Sequence, residues 1–202
     1  KRQVINVFVS LYENDLIYKG TRMVNWDTKL KSAVSDLEVT SANELGKLWA
    51  INYKVGDSFI EIATTRPETL LGDTAVAVNP SDNRYKDLIG KTAIIPIVNR
   101  EVEIIADDYV DVEFGSGCVK ITPAHDFNDY EIGKRHNLEM IRCLDFDGKI
   151  ENHDFIPQEL RGLDRFEARE KIIDMLKNQN LLKRVEDHQI QIPKGDRSKT
   201  IL

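Results

Sequence analysis

Short apolar runs that alternate with polar residues and end at turn residues occupy the middle of the chain. This period-two pattern predicts β-strands, because successive side chains of a strand point to opposite faces of a sheet. The predicted strands comprise residues 48–55, 58–64, 92–97, 102–106, 118–122 and 189–192, with a further apolar run at 74–78. The first two strands flank Gly56-Asp57, a dipeptide typical of two-residue hairpin turns. The pattern therefore predicts a hairpin followed by further strands on short connections.

Apolar residues at intervals of three and four predict helices near both ends and after the last central strand. The predicted helices comprise residues 3–18, 127–136 and 164–178. Asp126 and Asp164 precede the two later helices, where a carboxylate accepts hydrogen bonds from free backbone amides. Residues 29–44 are polar and predict a connector, whereas residues 141–150 predict a strand and an Asp-Gly turn.

The order of these elements indicates the fold class. Many strands joined by short turns, with few helices between them, predict an α+β fold that is mainly β. We expect a barrel-like β core with peripheral α-helices. The length of 202 residues, of which 41% are hydrophobic and 31% charged, suits one globular domain spanning residues 1–202.

The net charge of the chain is negative. The sequence has 28 basic and 34 acidic residues, which gives a net charge of -6 and a pI of about 5.3. Negative charge opposes binding to a phosphate backbone, so we do not expect this chain alone to bind nucleic acid tightly.

Two further features exclude several classes of protein. The sequence has no apolar run near the ~20 residues that a membrane helix requires and no signal-peptide pattern, so we expect a cytoplasmic, monomeric domain without membrane contact. Cys118 and Cys143 are too few for a disulfide framework and lack zinc-ribbon spacing. We expect both to be reduced thiols in the core, and we expect no bound metal.

Residues 62–78 form a first candidate site, because they combine a strand end, an Arg-Pro step and four threonines. Pro67 lacks an amide donor and restricts the preceding residue to extended geometry, so regular structure is interrupted there. Irregular backbone rich in hydroxyl groups leaves Thr65, Arg66 and Thr69 free to face a ligand.

A second candidate site follows a glycine loop and spans a strand and the start of a helix. Lys120 and Thr122 are expected on one polar face of the strand, followed by His125, Asp126 and Asp129. A helix start favours polar or anionic ligands, because its free amides carry partial positive charge. The two carboxylates equally suit capping of the helix, so their spacing leaves both interpretations open.

Two segments carry a specific resemblance to a known family. Residues 63–74, ATTRPETLLGDT, and residues 115–130, GSGCVKITPAHDFNDY, resemble the editing insertion of class I aminoacyl-tRNA synthetases. The similarity continues through residues 16–20, 24–27, 35–39, 162–165 and 197–198, and so covers nearly the whole chain. Glu68, Lys120 and Asn128 are typical of the valyl type of this insertion rather than of the leucyl or isoleucyl type.

The resemblance implies post-transfer editing, which is the hydrolysis of the ester that joins a wrong amino acid to tRNA. For the valyl type, the substrate is threonine attached to the terminal adenosine of tRNA(Val), and the activity is that of an aminoacyl-tRNA deacylase. Residues 45–185 would form a compact core with the deacylation site. Residues 1–44 and 186–202 would lead to an aminoacylation domain that this sequence lacks, so we do not expect the chain to activate valine.

The resemblance also implies roles for nine residues. Asp126, Lys120 and Thr65 are expected to act in catalysis, and Asp126 is expected to pair with the substrate ammonium. The expected substrate-binding residues are Arg66, Thr69, Phe114, Thr122, His125 and Asp129. Of these, Asp129 is expected to accept a hydrogen bond from the threonine hydroxyl. Water is the expected nucleophile, oriented by hydroxyl groups and a lysine.

The implied partners are the 3′ end of tRNA(Val) and the aminoacylation and anticodon domains of the same polypeptide. No cofactor is expected in this domain, although the complete enzyme is implied to use ATP and Mg²⁺. The alternatives are an insertion of the leucyl or isoleucyl type, an inactive insertion that only docks tRNA, and an unrelated hydrolase built on Cys118, His125 and Asp126. His125 suits a general base, and it equally suits a residue that only serves hydrogen bonds of the loop.

Overall fold

The computed structural model describes residues 1–202 and is mainly β, with few helices. Its α-helices are α1 (Arg2–Glu13), α2 (Phe127–Arg135) and α3 (Arg165–Asn178). Its strands are β1 (Asn25–Asp27), β2 (Ser32–Val34), β3 (Val39–Val55), β4 (Ser58–Thr64), β5 (Ala75–Val78), β6 (Thr92–Ile95), β7 (Arg100–Ala106), β8 (Cys118–Ile121) and β9 (Leu182–Gly195). Short 3₁₀ helices lie at Asp36–Glu38, Pro67–Gly72 and Lys86–Leu88.

One seven-stranded sheet forms the centre of the molecule. Its strand order is β4-β3-β6-β7-β5-β8, and β9 pairs with β3 outside this path. All pairings are antiparallel except that of β5 with β7, which is parallel. The sheet curls into a half-barrel, so that β4 and β8 at its two ends come into contact. The predicted α+β fold with a barrel-like β core and peripheral helices is confirmed.

Strand β5 shows how the two faces of the sheet are covered. All four of its residues are fully buried, as expected for a strand with neighbours on both sides and packed layers on both faces. Its two valines belong to the main core, to which α3 contributes Ile172 and Leu176. Its two alanines belong to a smaller cluster that contains Ile132 of α2. Helices α2 and α3 therefore contribute to the apolar clusters on opposite faces of β5.

Helices α2 and α3 begin where the sequence predicts. The Asp126 carboxylate accepts hydrogen bonds from the Asn128 and Asp129 amides at 2.8 and 3.1 Å. The Asp164 carboxylate accepts one from the Phe166 amide at 2.8 Å. Both aspartates thus satisfy amide donors that the first turn of the helix leaves free. The predicted hairpin of β3 with β4 is also confirmed, and the predicted strands at 92–97 and 102–106 correspond to β6 and β7, which pair antiparallel.

The prediction of a connector over residues 29–44 is wrong. This segment contains β2, a 3₁₀ helix and the first part of β3. Strand β3 pairs with β9 from Val39 opposite Gly195 onward, and most side chains of this ribbon are exposed or half-buried. Backbone pairing does not require apolar side chains, so the ribbon lacks the alternation that identifies a strand in a sequence. For the same reason, β9 is longer than the predicted residues 189–192.

Helix α1 is shorter than predicted, since it ends at Glu13 rather than at residue 18. Asp15 adopts a left-handed φ of 56°, and the Leu16 amide donates to the Leu11 carbonyl at 2.9 Å, which closes the helix. None of the three helices has the length and apolar character needed to cross a membrane.

The segment between α2 and α3 is largely irregular. The strand predicted there reduces to an isolated bridge between Leu144 and Ile150, around a turn in which Gly148 has a φ of 74°. The Trp26 indole N–H donates to the Phe146 carbonyl at 2.9 Å and joins this segment to β1. The turn therefore lies beside the start of the chain's first small sheet.

Candidate active site

A cleft of about 500 Å³ lies where the curled sheet brings β4 and β8 together. Its walls are the end of β4 with the following turn, strand β8, the start of α2 and the loop between β7 and β8. All nine residues nominated from the sequence line it, namely Thr65, Arg66, Thr69, Phe114, Lys120, Thr122, His125, Asp126 and Asp129. The two candidate sites of the sequence are therefore one site in the structure.

The cleft also contains residues that sequence reasoning missed. Tyr109, Asn128 and His188 line it, and His188 comes from the distant strand β9. The rings of Phe114 and His188 meet edge to face with centroids 6.2 Å apart. A histidine within a polar strand carries no distinguishing pattern, so only the pairing of β9 with β3 could have placed it here.

A buried polar network lies behind the cleft, centred on Asp73. This fully buried carboxylate accepts hydrogen bonds from the Tyr53 hydroxyl at 2.7 Å, the Thr122 hydroxyl at 2.6 Å and the Lys120 ammonium at 3.0 Å. Burial raises the pKa of Asp73, and the Lys120 ammonium beside it opposes that rise. Sequence reasoning missed Asp73, because an aspartate between a glycine and a threonine resembles an ordinary turn residue.

The network fixes the position of Lys120. Its ammonium also contacts the Thr122 hydroxyl, and only about 9% of its side chain is exposed. A lysine ammonium has three N–H donors, and Asp73 and Thr122 occupy two of them. The third donor is thus available to a ligand in the cleft that Lys120 lines.

Asp129 presents one carboxylate oxygen to the cleft. Its Oδ2 accepts a hydrogen bond from the Thr122 amide at 2.8 Å, whereas its Oδ1 accepts none from the protein. Burial raises the pKa of Asp129 to about 6, although the nearby Lys120 opposes the rise. The residue does not complete a capping box with Asp126, because its side chain is turned to Thr122, the residue after β8. Asp129 is thus a largely buried residue with one carboxylate oxygen that a ligand can reach.

Asp126 caps the helix, which is one of the two interpretations that the sequence left open, and the contact with a ligand stays a prediction. Its Oδ1 caps α2, as described above, while its Oδ2 accepts no hydrogen bond from the protein. The residue is exposed and lies on the wall of the cleft. Capping therefore holds the carboxylate in place and leaves its second oxygen free for a cationic ligand.

The contacts of His125 favour a role in holding the loop over a role as general base. Its Nε2 accepts a hydrogen bond from the Cys143 amide at 2.9 Å, which requires the proton to be on Nδ1. Burial, together with the charges of Arg66 and Lys120, lowers the pKa of His125 to about 3. A neutral imidazole whose Nε2 lone pair is already engaged cannot accept a proton from water at that atom.

The opposite wall is built on the turn after β4. Arg66 donates from Nη1 to the His125 carbonyl at 2.9 Å, so the turn is joined directly to the loop before α2. Thr69 donates from its hydroxyl to the Arg66 carbonyl at 2.9 Å. Glu68, which is fully buried behind them, accepts two hydrogen bonds of 2.8 Å from Arg169 of α3. Thr65 lines the cleft, and its hydroxyl makes no hydrogen bond within the protein.

The two cysteines lack the properties of a nucleophile. Burial raises the pKa of both Cys118 and Cys143 to about 12, so neither thiol is ionised near neutral pH. Neither residue lines the cleft. Both are buried in the main core, as the sequence predicts.

The resemblance implies ester hydrolysis at this cleft, and if so, replacement of Cys118 by alanine is expected to leave the rate within about twofold of the unmodified protein, since the thiol only packs in the core. Initial rates of aminoacyl-tRNA hydrolysis measure this. A loss of activity without a loss of folded protein, judged by circular dichroism, would support the unrelated cysteine hydrolase instead.

Comparison with known protein families shows to which family the chain belongs. The family model of the tRNA synthetases class I (I, L, M and V) matches residues 1–141, which is more than half of the chain. The chain belongs to the class I tRNA synthetases. Related members of this class I family include the valine--tRNA ligases of Legionella pneumophila (strain Lens) and Francisella tularensis subsp. tularensis (strain SCHU S4 / Schu 4). They are 57% and 54% identical to this chain over 201 and 197 residues.

These matches cover 98% and 96% of this class I synthetase chain, but only 22% and 21% of the two relatives. The chain thus spans about a fifth of the length of the curated relatives it matches. The family model and these relatives confirm the resemblance to class I synthetases of the valyl type that was inferred from the sequence.

Two solved structures of class I synthetases share the fold. The agnB2 LeuRS of Agrobacterium radiobacter K84, in a ternary complex with tRNA and LeuAMS, has a TM-score of 0.53 at 20% identity, over 75% of this chain and 21% of that one. A GlLeuRS-CP1 structure has a TM-score of 0.52 at 11% identity, over 70% of this chain and 99% of that one. This class I synthetase chain therefore has the fold of the GlLeuRS-CP1 structure, which it matches over nearly the whole length of that structure.

Proposed function

We propose that this domain hydrolyses the ester of threonyl-tRNA(Val) and forms the editing part of a valine--tRNA ligase. The observation that carries the proposal is the pair of free carboxylate oxygens, on Asp126 and Asp129, that face the same cleft as the Lys120 ammonium. A threonyl ester offers an ammonium and a hydroxyl as donors and an ester carbonyl as acceptor. The cleft therefore has a complementary group for each polar part of this substrate.

Discrimination between threonine and valine is assigned to Asp129. A hydrophobic pocket cannot strongly reject an isostere that adds only a hydroxyl, and valyl-type synthetases facing threonine are a known case of this limit. A second site that requires the hydroxyl solves the problem. The Oδ1 of Asp129 accepts a hydrogen bond from threonine, whereas bound valine excludes water from this oxygen without replacing the hydrogen bond, at a cost of about 1–3 kcal/mol.

Hydrolysis proceeds by attack of water on the ester carbonyl carbon. The bond from that carbon to the ribose oxygen breaks, which releases threonine and the free hydroxyl of the terminal adenosine. The remaining N–H of Lys120 stabilises the developing oxyanion, and the unpaired hydroxyl of Thr65 orients the water. Asp126 binds the substrate ammonium and thereby positions the ester carbonyl beside the Lys120 ammonium and the Thr65 hydroxyl.

The terminal adenosine lies in the outer part of the cleft. The half-exposed ring of Phe114 offers a stacking surface for the base, and Arg66 contributes positive charge near the ribose and phosphate. The wider partners follow from this assignment. We propose that the 3′ end of tRNA(Val) enters the cleft, and that the aminoacylation and anticodon domains belong to the same polypeptide.

Several expectations from the sequence stay predictions. These are the compact core over residues 45–185, the monomeric state, the cytoplasmic location, and the absence of metal and cofactor from this domain while the complete enzyme uses ATP and Mg²⁺. None of them is required for the chemistry described above.

The test compares threonyl-tRNA(Val) with valyl-tRNA(Val) as substrates of the complete synthetase polypeptide. Hydrolysis of the threonyl ester is expected to be faster by at least about tenfold, because only threonine satisfies Asp129. Equal rates would contradict the assigned specificity, and no hydrolysis of either ester would support an inactive tRNA-docking insertion.

The rate of threonyl-tRNA hydrolysis is expected to fall as the pH is lowered through about 6, which is the pKa to which burial raises Asp129. Below this pH the carboxyl becomes protonated and its cleft-facing oxygen no longer accepts from threonine with full charge. Single-turnover rates between pH 5 and pH 8 measure this, and His125 does not titrate in that range. A profile for Asp129→Asn with the same inflection would assign it to another group.

A further inference from the structure

A second cavity of about 340 Å³ adjoins the cleft and has no role in the chemistry described above. Arg66, His125 and Asp126 line both cavities, so the two spaces share a wall. The other walls include β1 with the residues before it, the turn at residues 142–148 and the first residue of α2, together with Arg165, Pro193 and Leu202. A ligand that fills the cleft and continues along its shared wall therefore enters this second cavity.

One aromatic ring in the second cavity is bare. Phe127, the first residue of α2, is 49% exposed and has neither an aromatic ring nor a guanidinium group stacked against it. Phe146 differs, because its ring lies between Trp26, at 5.0 Å between centroids, and the Arg142 guanidinium, at 4.7 Å from the centroid. In this cavity, the ring of Phe146 is therefore already stacked with other side chains, whereas the ring of Phe127 is free to stack with a ligand.

The cavity carries positive charge at its junction with the cleft. Three arginines line it, but Arg142 is paired with Glu151 and Arg165 donates to the Ile201 carbonyl, so the available guanidinium at this junction is that of Arg66. Arg66 donates from Nη1 to the His125 carbonyl, whereas its Nη2 makes no hydrogen bond within the protein. An arginine with free N–H groups at such a junction suits a phosphate group.

We infer that the second cavity binds the penultimate nucleotide of the tRNA acceptor strand, with its base stacked on Phe127. The phosphodiester that joins it to the terminal adenosine contacts the free Nη2 of Arg66. This inference rests on the proposed function, which places the terminal adenosine in the cleft. It is carried by the continuity of the two cavities and by their charge, since a nucleotide offers both a planar base and an anion.

The test uses the complete synthetase polypeptide with two substrates, threonyl-tRNA(Val) and 3′-threonyl-adenosine, which lacks the penultimate nucleotide. Replacing Phe127 by alanine is expected to raise KM for threonyl-tRNA about tenfold, as expected for one lost stacking contact, while KM for threonyl-adenosine changes by less than about twofold. Phe127→Trp is expected to restore the KM for threonyl-tRNA. Phe59→Ala is the matched control, because Phe59 is 54% exposed and lines neither cavity.

The outcomes separate a failure of the proposed function from a failure of the inference about the second cavity. If the unmodified enzyme hydrolyses neither substrate, the proposed function fails. If it hydrolyses both and Phe127→Ala changes neither KM, or raises both equally, the second cavity does not bind the nucleotide. An unchanged KM for both would indicate that another segment of the polypeptide covers the cavity. Should Phe127→Ala unfold, Phe127→Leu replaces it, because leucine keeps apolar bulk at the start of α2 but offers no aromatic face, and it is expected to raise the same KM.

Discussion

Replacement of Asp129 by alanine is expected to lower kcat/KM for threonyl-tRNA(Val) about a hundredfold, because a hydrogen bond to a charged group contributes up to about 3 kcal/mol. The free Oδ1 of this residue is the group that we assign to the threonine hydroxyl. Valine presents no hydroxyl, so the slow hydrolysis of valyl-tRNA is expected to change little. The ratio of the two rates, measured on the complete synthetase polypeptide, should therefore fall toward one.

The matched control for this experiment is Asp108→Ala. Asp108 carries the same charge, is exposed, lies outside the cleft and makes no side-chain hydrogen bond. Its replacement removes one negative charge without touching the site, so both rates should be retained. An Asp129→Ala variant that still prefers threonyl-tRNA by the original factor would contradict the assignment of specificity to this carboxylate.

Replacement of Lys120 by methionine is expected to abolish measurable deacylation and to lower the free energy of unfolding by about 3–5 kcal/mol. The large structural effect arises because Asp73 is left as a buried carboxylate without its cation, although Tyr53 and Thr122 still donate to it. The loss of activity has a separate cause, since the third N–H of Lys120 is the group that we assign to the oxyanion. Chemical denaturation and single-turnover hydrolysis measure the two effects.

The double variant Asp73→Asn/Lys120→Met separates these effects. Removing both charges eliminates the uncompensated buried carboxylate, so much of the stability should return while activity stays lost. Recovery of deacylation in the double variant would show that Lys120 acts only as a counterion to Asp73. The single variant Asp73→Asn keeps the Lys120 ammonium but removes the negative charge beside it. Its deacylation rate tests whether Lys120 needs the Asp73 carboxylate to stay in position.

The residues nominated for the candidate site were easier to predict from the sequence than the residues that hold them in place or join them from distant strands. Lys120, Asp126 and Asp129 belong to a segment whose strand, proline and capping aspartate fix the local geometry, so their proximity follows from short-range rules. Asp73 and His188 reach the site only through the curl of the sheet and the pairing of β9. No local sequence pattern predicts such long-range contacts.

The same distinction applies to the fold. The β3–β4 hairpin was predicted because alternation and a Gly-Asp turn specify it within a few residues. The outer half of β3 was missed because its pairing with β9 connects residues about 150 positions apart and buries little apolar surface. Helix α1 was placed correctly but made too long, because the left-handed Asp15 that ends it is not a glycine.

The contact between β4 and β8 determines when the cleft can form during folding and synthesis. The walls of the cleft lie more than 50 residues apart in sequence, and His188 follows about 60 residues later still. Contacts of such long range form late in folding, after local hairpins and helices. During synthesis, the wall that contains Arg66 emerges first and stays without a partner until β8 is made. The cleft therefore arises only from an essentially complete domain, and under the proposed function we expect partly made chains to be inert toward the ester.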